Sequence, residues 1–233
     1  NIFWNVEGRC QQADVPNEPG STGWYKMEEP GVVNGYAVYG EGTDRLHVVN
    51  NFIGKCRSAG YFVKPVAFRI GANKRGGTSR EARITNNLFY DCGEAAIKFP
   101  TRDNDAQGNL YVKMPGGYLR VLYPAPENCL DLQAWQEFYG FDREGQEGFF
   151  TIRVDTEKLT LEMEKADHVP GGRHHGTGRQ EYTADPEKVL PVKASMETAD
   201  DFYGTAPKER RVPGPFAVLE AGRVYDIDPR KHN

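Results

Sequence analysis

A short phrase, an asparagine leading three apolar or aromatic residues, recurs along this chain and constrains its fold more than any other feature. It reads Asn1-Ile2-Phe3-Trp4, Asn51-Phe52-Ile53-Gly54, Asn87-Leu88-Phe89-Tyr90 and Asn109-Leu110-Tyr111-Val112. The copies begin 50, 36 and 22 residues apart. Repeats at intervals of about 20–50 residues mark architectures in which each copy is one layer that buries its apolar face only against its neighbours. The shortest interval suits a single coil of a parallel β-helix, and the longer ones a coil with inserted loops.

The residues around the phrase repeat as well. Arg45-Leu46-His47-Val48-Val49-Asn50-Asn51 parallels Ala82-Arg83-Ile84-Thr85-Asn86-Asn87, each an alternating strand that ends in an asparagine pair. Asparagine tolerates the left-handed backbone that a tight bend between strands requires. Cys56 and Cys92 both follow their repeat asparagine by five residues, and Met114 holds that place in the next copy. Stacked strands lie about 4.8 Å apart, so inward positions form ladders of like residues. The cysteines read as thiols packed as small apolar groups, with a disulfide between adjacent rungs as the alternative. The competing account of the repeat is coincidence within an ordinary β-sandwich. Strand, asparagine pair, apolar strand and cysteine recurring in that order argue against it.

Composition removes several function classes. The formal charge of −4 is opposite in sign to the basic excess of a general nucleic-acid binder. No run of about 18 apolar residues offers a membrane span. None of the four cysteines forms a CxxC pair, which excludes a zinc knuckle or thioredoxin motif. A hydrophobic share of 38% is enough for a core.

The phrases Val48-Val49-Asn50-Asn51-Phe52-Ile53 and Ile84-Thr85-Asn86-Asn87-Leu88-Phe89-Tyr90-Asp91-Cys92 resemble those of the right-handed parallel β-helix proteins, a group rich in glycoside hydrolases and polysaccharide lyases. The stretch from Leu132 to Asp142 resembles the short helical segment that follows the last coils of such enzymes. Asp201-Phe202-Tyr203-Gly204 with Pro213-Gly214-Pro215-Phe216 is similar to their closing strand. The resemblance implies an all-β fold, with right-handed parallel β-helix coils and inserted loops over 1–125 and a short helix and irregular β-rich cap over 126–233. Within that cap, strands are expected at Phe149–Val154, Leu159–Met163, Pro215–Leu219 and Arg223–Ile227. The resemblance further implies a secreted or periplasmic glycoside hydrolase that acts on a plant or algal polysaccharide or oligosaccharide without a resident cofactor. A polysaccharide lyase on an acidic glycan and a non-catalytic glycan-binding or adhesin subunit are the alternatives. Because Asn1 falls inside a repeat unit, upstream coils, in the same chain or another, are expected as a partner.

Period-two alternation picks out candidate site residues. It turns Arg69, Lys98 and Arg120 outward from the strands Ala67–Ile70, Ala96–Phe99 and Tyr118–Val121. Lys98 and Arg120 share an offset of 11 from their repeat asparagines, whereas Arg69 lies at 18. Cations on successive rungs would repel by about 3 kcal/mol per pair at a surface-like dielectric. Either an acidic glycan offsets this, or carboxylates such as Glu94 and Asp103 do. Glycoside hydrolysis needs two carboxylates. Glu41 and Asp44, beside Tyr39, are the expected catalytic pair, with Trp24 and Tyr39 as sugar-stacking aromatics and Arg69, Lys98 and Arg120 as substrate contacts. Asp91, Glu94, Asp103 and Asp105 cluster near Lys98. A lyase would instead use Lys98 or Arg69 as base, with Ca²⁺ on Asp103 and Asp105. No metal site is otherwise expected. His174 and His175 lack a third ligand in register, and His47 reads either as an outward, solvated strand residue or as a partner for an acidic neighbour.

Overall fold

The computed structural model describes residues 1–5, 36–41, 43–56, 59–64, 66–69, 73–77, 79–93, 95–122, 124, 126–169, 182–194, 200–206 and 208–232. The first strands are β1 (Ile2–Trp4), β2 (Tyr36–Glu41), β3 (His47–Val49), β4 (Phe52–Gly54) and β5 (Ala59–Lys64). Next come β6 (Val66–Arg69), β7 (Asn73–Gly77), β8 (Arg83–Thr85), β9 (Leu88–Tyr90) and β10 (Ile97–Phe99). They are followed by β11 (Asp105–Gln107), β12 (Leu110–Val112), β13 (Leu119–Val121) and β14 (Asn128–Leu130). Helix α1 (Leu132–Tyr139) precedes β15 (Gln146–Gly148), β16 (Thr151–Asp155) and β17 (Thr160–Glu164), and β18 (Val192–Lys193), β19 (Arg210–Arg211) and β20 (Val224–Asp226) close the chain. Among the described residues no helix is long and apolar enough to cross a membrane.

The chain is mostly β, and its main sheets are parallel. One sheet runs β1-β4-β9-β12-β15, with Ile2 beside Phe52, Phe52 beside Leu88 and Leu88 beside Leu110. The four copies of the repeat phrase therefore lie side by side in register. A second parallel sheet, β3-β8-β11, pairs Val48 with Ile84 and Ile84 with Ala106. A third pairs β10 with β13 in parallel, and β14 joins it antiparallel. β5 pairs with β2 and lies alongside β10.

The asparagine pairs divide the work of the bend between them. The first member, Asn50 or Asn86, takes a positive φ of 55° or 57°, and Gly108 does the same in the third copy at 64°. The second member turns inward and builds a hydrogen-bonded ladder. Asn1 Nδ2 donates to Asn51 Oδ1 at 3.0 Å, Asn51 to Asn87 at 2.9 Å and Asn87 to Asn109 at 3.1 Å. Backbone N–H groups of Asn51 and Asn87 use the same oxygens. In this way backbone groups that the bend takes out of the sheet are satisfied. The ladder ends on Asp142, whose two carboxylate oxygens accept from Asn109 N and Nδ2.

Two apolar cores flank the five-stranded sheet. One face buries Ile53, Phe89 and Tyr111 against Ile84, Ile97, Phe99 and Leu119, with Cys56 and Cys92 buried and not joined in a disulfide and Met114 packed against the cluster. Leu132 and Trp135 of α1 cover this core, the indole stacked on Phe99 at 5.8 Å. The helix begins at an Asp131 N-cap and ends at Gly140 in the left-handed region. The other face presents Phe52, Leu88, Leu110 and Val112 to Phe150, Leu161, Met163, Phe216 and Tyr225.

In that second core the segment beyond residue 149 packs as a layer along the sheet, because the strands Phe-Ile-Gly, Leu-Phe-Tyr and Leu-Tyr-Val are apolar on both faces. The parallel pairing also outlasts residue 125, since β15 adds to the sheet at 146–148. Strands β16 and β17 form as expected around the turn 156–159, and β20 lies within the expected 223–227. Residues 215–219 are bends and coil instead of a strand, their Phe216 filling the core between sheet and layer.

Gly214 marks the closest approach of the two. Its φ is +106°, its N–H donates to Asn86 O at 2.7 Å, and a Cβ there would stand 3.2 Å from Leu88 Cβ. Gly214→Ala is expected to cost about 2 kcal/mol through backbone strain and crowding. Urea unfolding should show one shifted transition if the layer and the sheets unfold together; an unshifted transition would mean this contact carries nothing.

Candidate active site

Of the expected site residues, the described side chains are those of Asp44, Lys98 and Arg120. Lys98 and Arg120 do stand side by side on β10 and β13, both partly buried, while Ile97, Phe99, Leu119 and Val121 point inward. Arg69 does not join them. Its strand β6 pairs antiparallel with β7 as an inserted hairpin, and β5 takes the neighbouring place beside β10. The neutralising carboxylate is Glu127, whose Oε1 lies 3.3 Å from Lys98 Nζ and 3.5 Å from Arg120 Nη1. Asp44 is exposed and paired with Arg80 at 3.0 Å, a hydrogen bond that holds its carboxyl below the usual range. A group held ionised in this way is no proton donor. Glu41 ends β2 opposite Lys64, and Tyr39 pairs with Phe62; the side chains of Glu41, Tyr39 and Arg69 lie outside the described residues, as does Trp24.

Asn104, between Asp103 and Asp105, is buried and spends its amide on Ala82 N, Ser79 O and Thr101 O, which fixes a turn. Among the described residues no three His, Cys, Asp or Glu side chains gather as a metal site. His174 and His175 lie outside the described residues.

Chemistry collects instead where the five-stranded sheet ends. A groove of about 630 Å³ runs between α1 and residues 182–190 and is lined by Gln133, Gln136, Glu147, Tyr182, Asp185 and Lys188, among others. Its two walls are tied to the sheet. Gln146 bonds both backbone groups of Leu190 at 2.8 Å, and Thr183 N donates to Glu147 O. Glu147 is the β15 residue beside Tyr111, in the inward column that holds Ile53 and Phe89 on earlier strands. It is only 8% exposed, and Tyr118 donates to its Oε1 at 2.5 Å.

Position in that column dictates its charge. Burial pushes the Glu147 carboxyl up to about 7, the Tyr118 bond opposes the rise, and nearby Asp131 adds to it. Asp185, at the start of the turn Pro186–Lys188, goes the other way. Burial raises it, but hydrogen bonds from Lys165 and Glu187 N outweigh that and hold it below the usual range. One groove is thus lined by an acid whose carboxyl is lifted to about 7 and by another held below the usual carboxylate range. No family model matches this chain. No curated protein and no solved structure matches it either.

Neither acid was a sequence candidate. The phrase Gln146-Glu147-Gly148 carries no leading asparagine, since Gly145 stands in that place and the ladder acceptor comes from Asp142 instead. Without that substitution in view, Glu147 cannot be aligned with Ile53, Phe89 and Tyr111. Asp185 reads as an ordinary N-cap before proline.

Proposed function

We propose that this chain is a right-handed parallel β-helix protein that hydrolyses glycosidic bonds in a plant or algal polysaccharide outside the cytoplasm, with Glu147 as proton donor and Asp185 as its ionised counterpart. The observation that carries the reading is the pair of acids lining one groove, Glu147 lifted by burial to about 7 and Asp185 held below the usual range by Lys165 and Glu187 N. That is the division of labour glycoside hydrolysis demands: a protonated acid for the leaving oxygen and a carboxylate for water or for the sugar carbon. The amides of Gln133 and Gln136 and the hydroxyls of Thr183 and Tyr182 offer the neutral hydrogen-bonding groups that sugars use. The three stacks of parallel strands support the β-helix part of the proposal.

A lyase centred on Lys98 has less support, since its ammonium is already paired with Glu127. Reducing-end release from a panel of neutral and uronate-bearing oligosaccharides tests the proposal. Glu147→Gln should lower turnover about a hundredfold while binding persists, the usual scale for loss of a general acid. Asp185→Asn should do the same. Binding by the wild type with no turnover on any glycan would leave a glycan-binding module in place of the enzyme.

A further inference from the structure

We propose that Tyr118 is the positioning residue for this acid: by holding Glu147 Oε1 it leaves the other oxygen to carry the transferable proton, and it sets the pH at which that proton is lost. This rests on Glu147 being the donor.

The geometry is that of a fixed clamp. Tyr118 is 2% exposed, follows Gly117 in a left-handed turn, and its carbonyl accepts from Ala96 N at 2.8 Å. Its ring packs on Tyr111 with centroids 5.1 Å apart, and Tyr111 in turn donates to Asp142 at 2.5 Å. Two short phenol–carboxylate bonds therefore sit side by side, and neither ring can turn away without disturbing the other.

The groups facing Glu147 come from every neighbouring element. Tyr111 lies beside it on β12, Asp131 precedes α1, and Tyr182, Asp185 and Lys188 come from the opposite wall of the groove. Burial and Asp131 favour the protonated acid, and the Tyr118 hydroxyl is the hydrogen-bond donor that favours the ionised one. Without the hydroxyl, Glu147 would hold its proton to higher pH and would swing between two equivalent oxygens.

The test is the Glu147 titration followed by carboxyl ¹³C NMR, with the resonance assigned through its loss in Glu147→Gln, alongside the pH profile of turnover. Tyr118→Phe should move both the titration and the alkaline limb of kcat up by about one pH unit. 3-Fluorotyrosine at 118, a more acidic phenol of nearly the same shape, should move both down, and it keeps the test usable if the phenylalanine variant unfolds. An unmoved Glu147 titration in a folded variant overturns the proposal. A shifted titration in a protein that hydrolyses no glycan keeps the Tyr118 assignment and overturns the hydrolase reading instead.

Discussion

Asn87→Ala should destabilise the protein by about 4 kcal/mol, because it removes the middle rung of the ladder and strands its partners. Asn87 is fully buried. Its Oδ1 accepts from both Asn51 N and Asn51 Nδ2, and its Nδ2 serves Val48 O, Thr85 O and Asn109 Oδ1. Water cannot replace these contacts in the core, and each abandoned buried group costs about 1–3 kcal/mol. For a chain of this size that is a fall in Tm of about 10 °C. Asn1→Ala at the exposed end of the ladder should cost less than about 1 kcal/mol, since water can take up the bond it releases. Chemical denaturation of both variants measures the contrast. Equal small losses at the two positions would show that the ladder is ornamental and that apolar packing alone holds the strands in register.

The same ladder explains what was legible in the sequence. An asparagine that must give one amide hydrogen and take another from identical neighbours can be replaced by almost nothing else, so Asn51, Asn87 and Asn109 recur verbatim. Lys98 and Arg120 were readable for a similar reason, since a shared offset and a buried residue on each side fix an outward position. Arg69 was misplaced because the interval after Asn51 hides the hairpin β6–β7, and its offset of 18 instead of 11 was the sign of an insertion. The layer against Leu88 and Leu110 could be inferred only by noticing that these triplets have no polar face. The acids of the groove were harder. Glu147 is functional through its column, and the column is visible only once Asp142 is seen to replace an asparagine three residues early.

Stability should fall, not rise, as pH goes from about 4 to about 7, through Asp142 and Glu147. Burial lifts Asp142 from 3.8 to about 6, against the hydrogen bonds from Tyr111 and Asn109, and lifts Glu147 from 4.5 to about 7. A carboxyl whose pKa is higher in the folded state binds protons more tightly there, so its contribution is full below the unfolded value and is lost as pH climbs through the folded one. Each group accounts for about 3 kcal/mol over that window. The exposed Asp44, paired with Arg80, and the buried Asp228, paired with Arg230, have lowered carboxyls and act in the opposite sense, so raw curves mix the two. Differences between variants separate them. Asn at 142 removes the charge but not without loss: its one carbonyl keeps one of the two Asn109 donors, and its amide can donate to the Tyr111 oxygen but faces the other Asn109 donor. Asp142→Asn should therefore be weaker than the wild type near pH 4, and its deficit should shrink by about 3 kcal/mol towards pH 8, where the wild type carries the buried charge and the variant does not. Urea denaturation at the two pH values is the measurement. A variant equally weakened at both would mean that Asp142 is ionised throughout, its hydrogen bonds from Asn109 and Tyr111 having outweighed burial, and the ladder would then end on a charge the fold depends on.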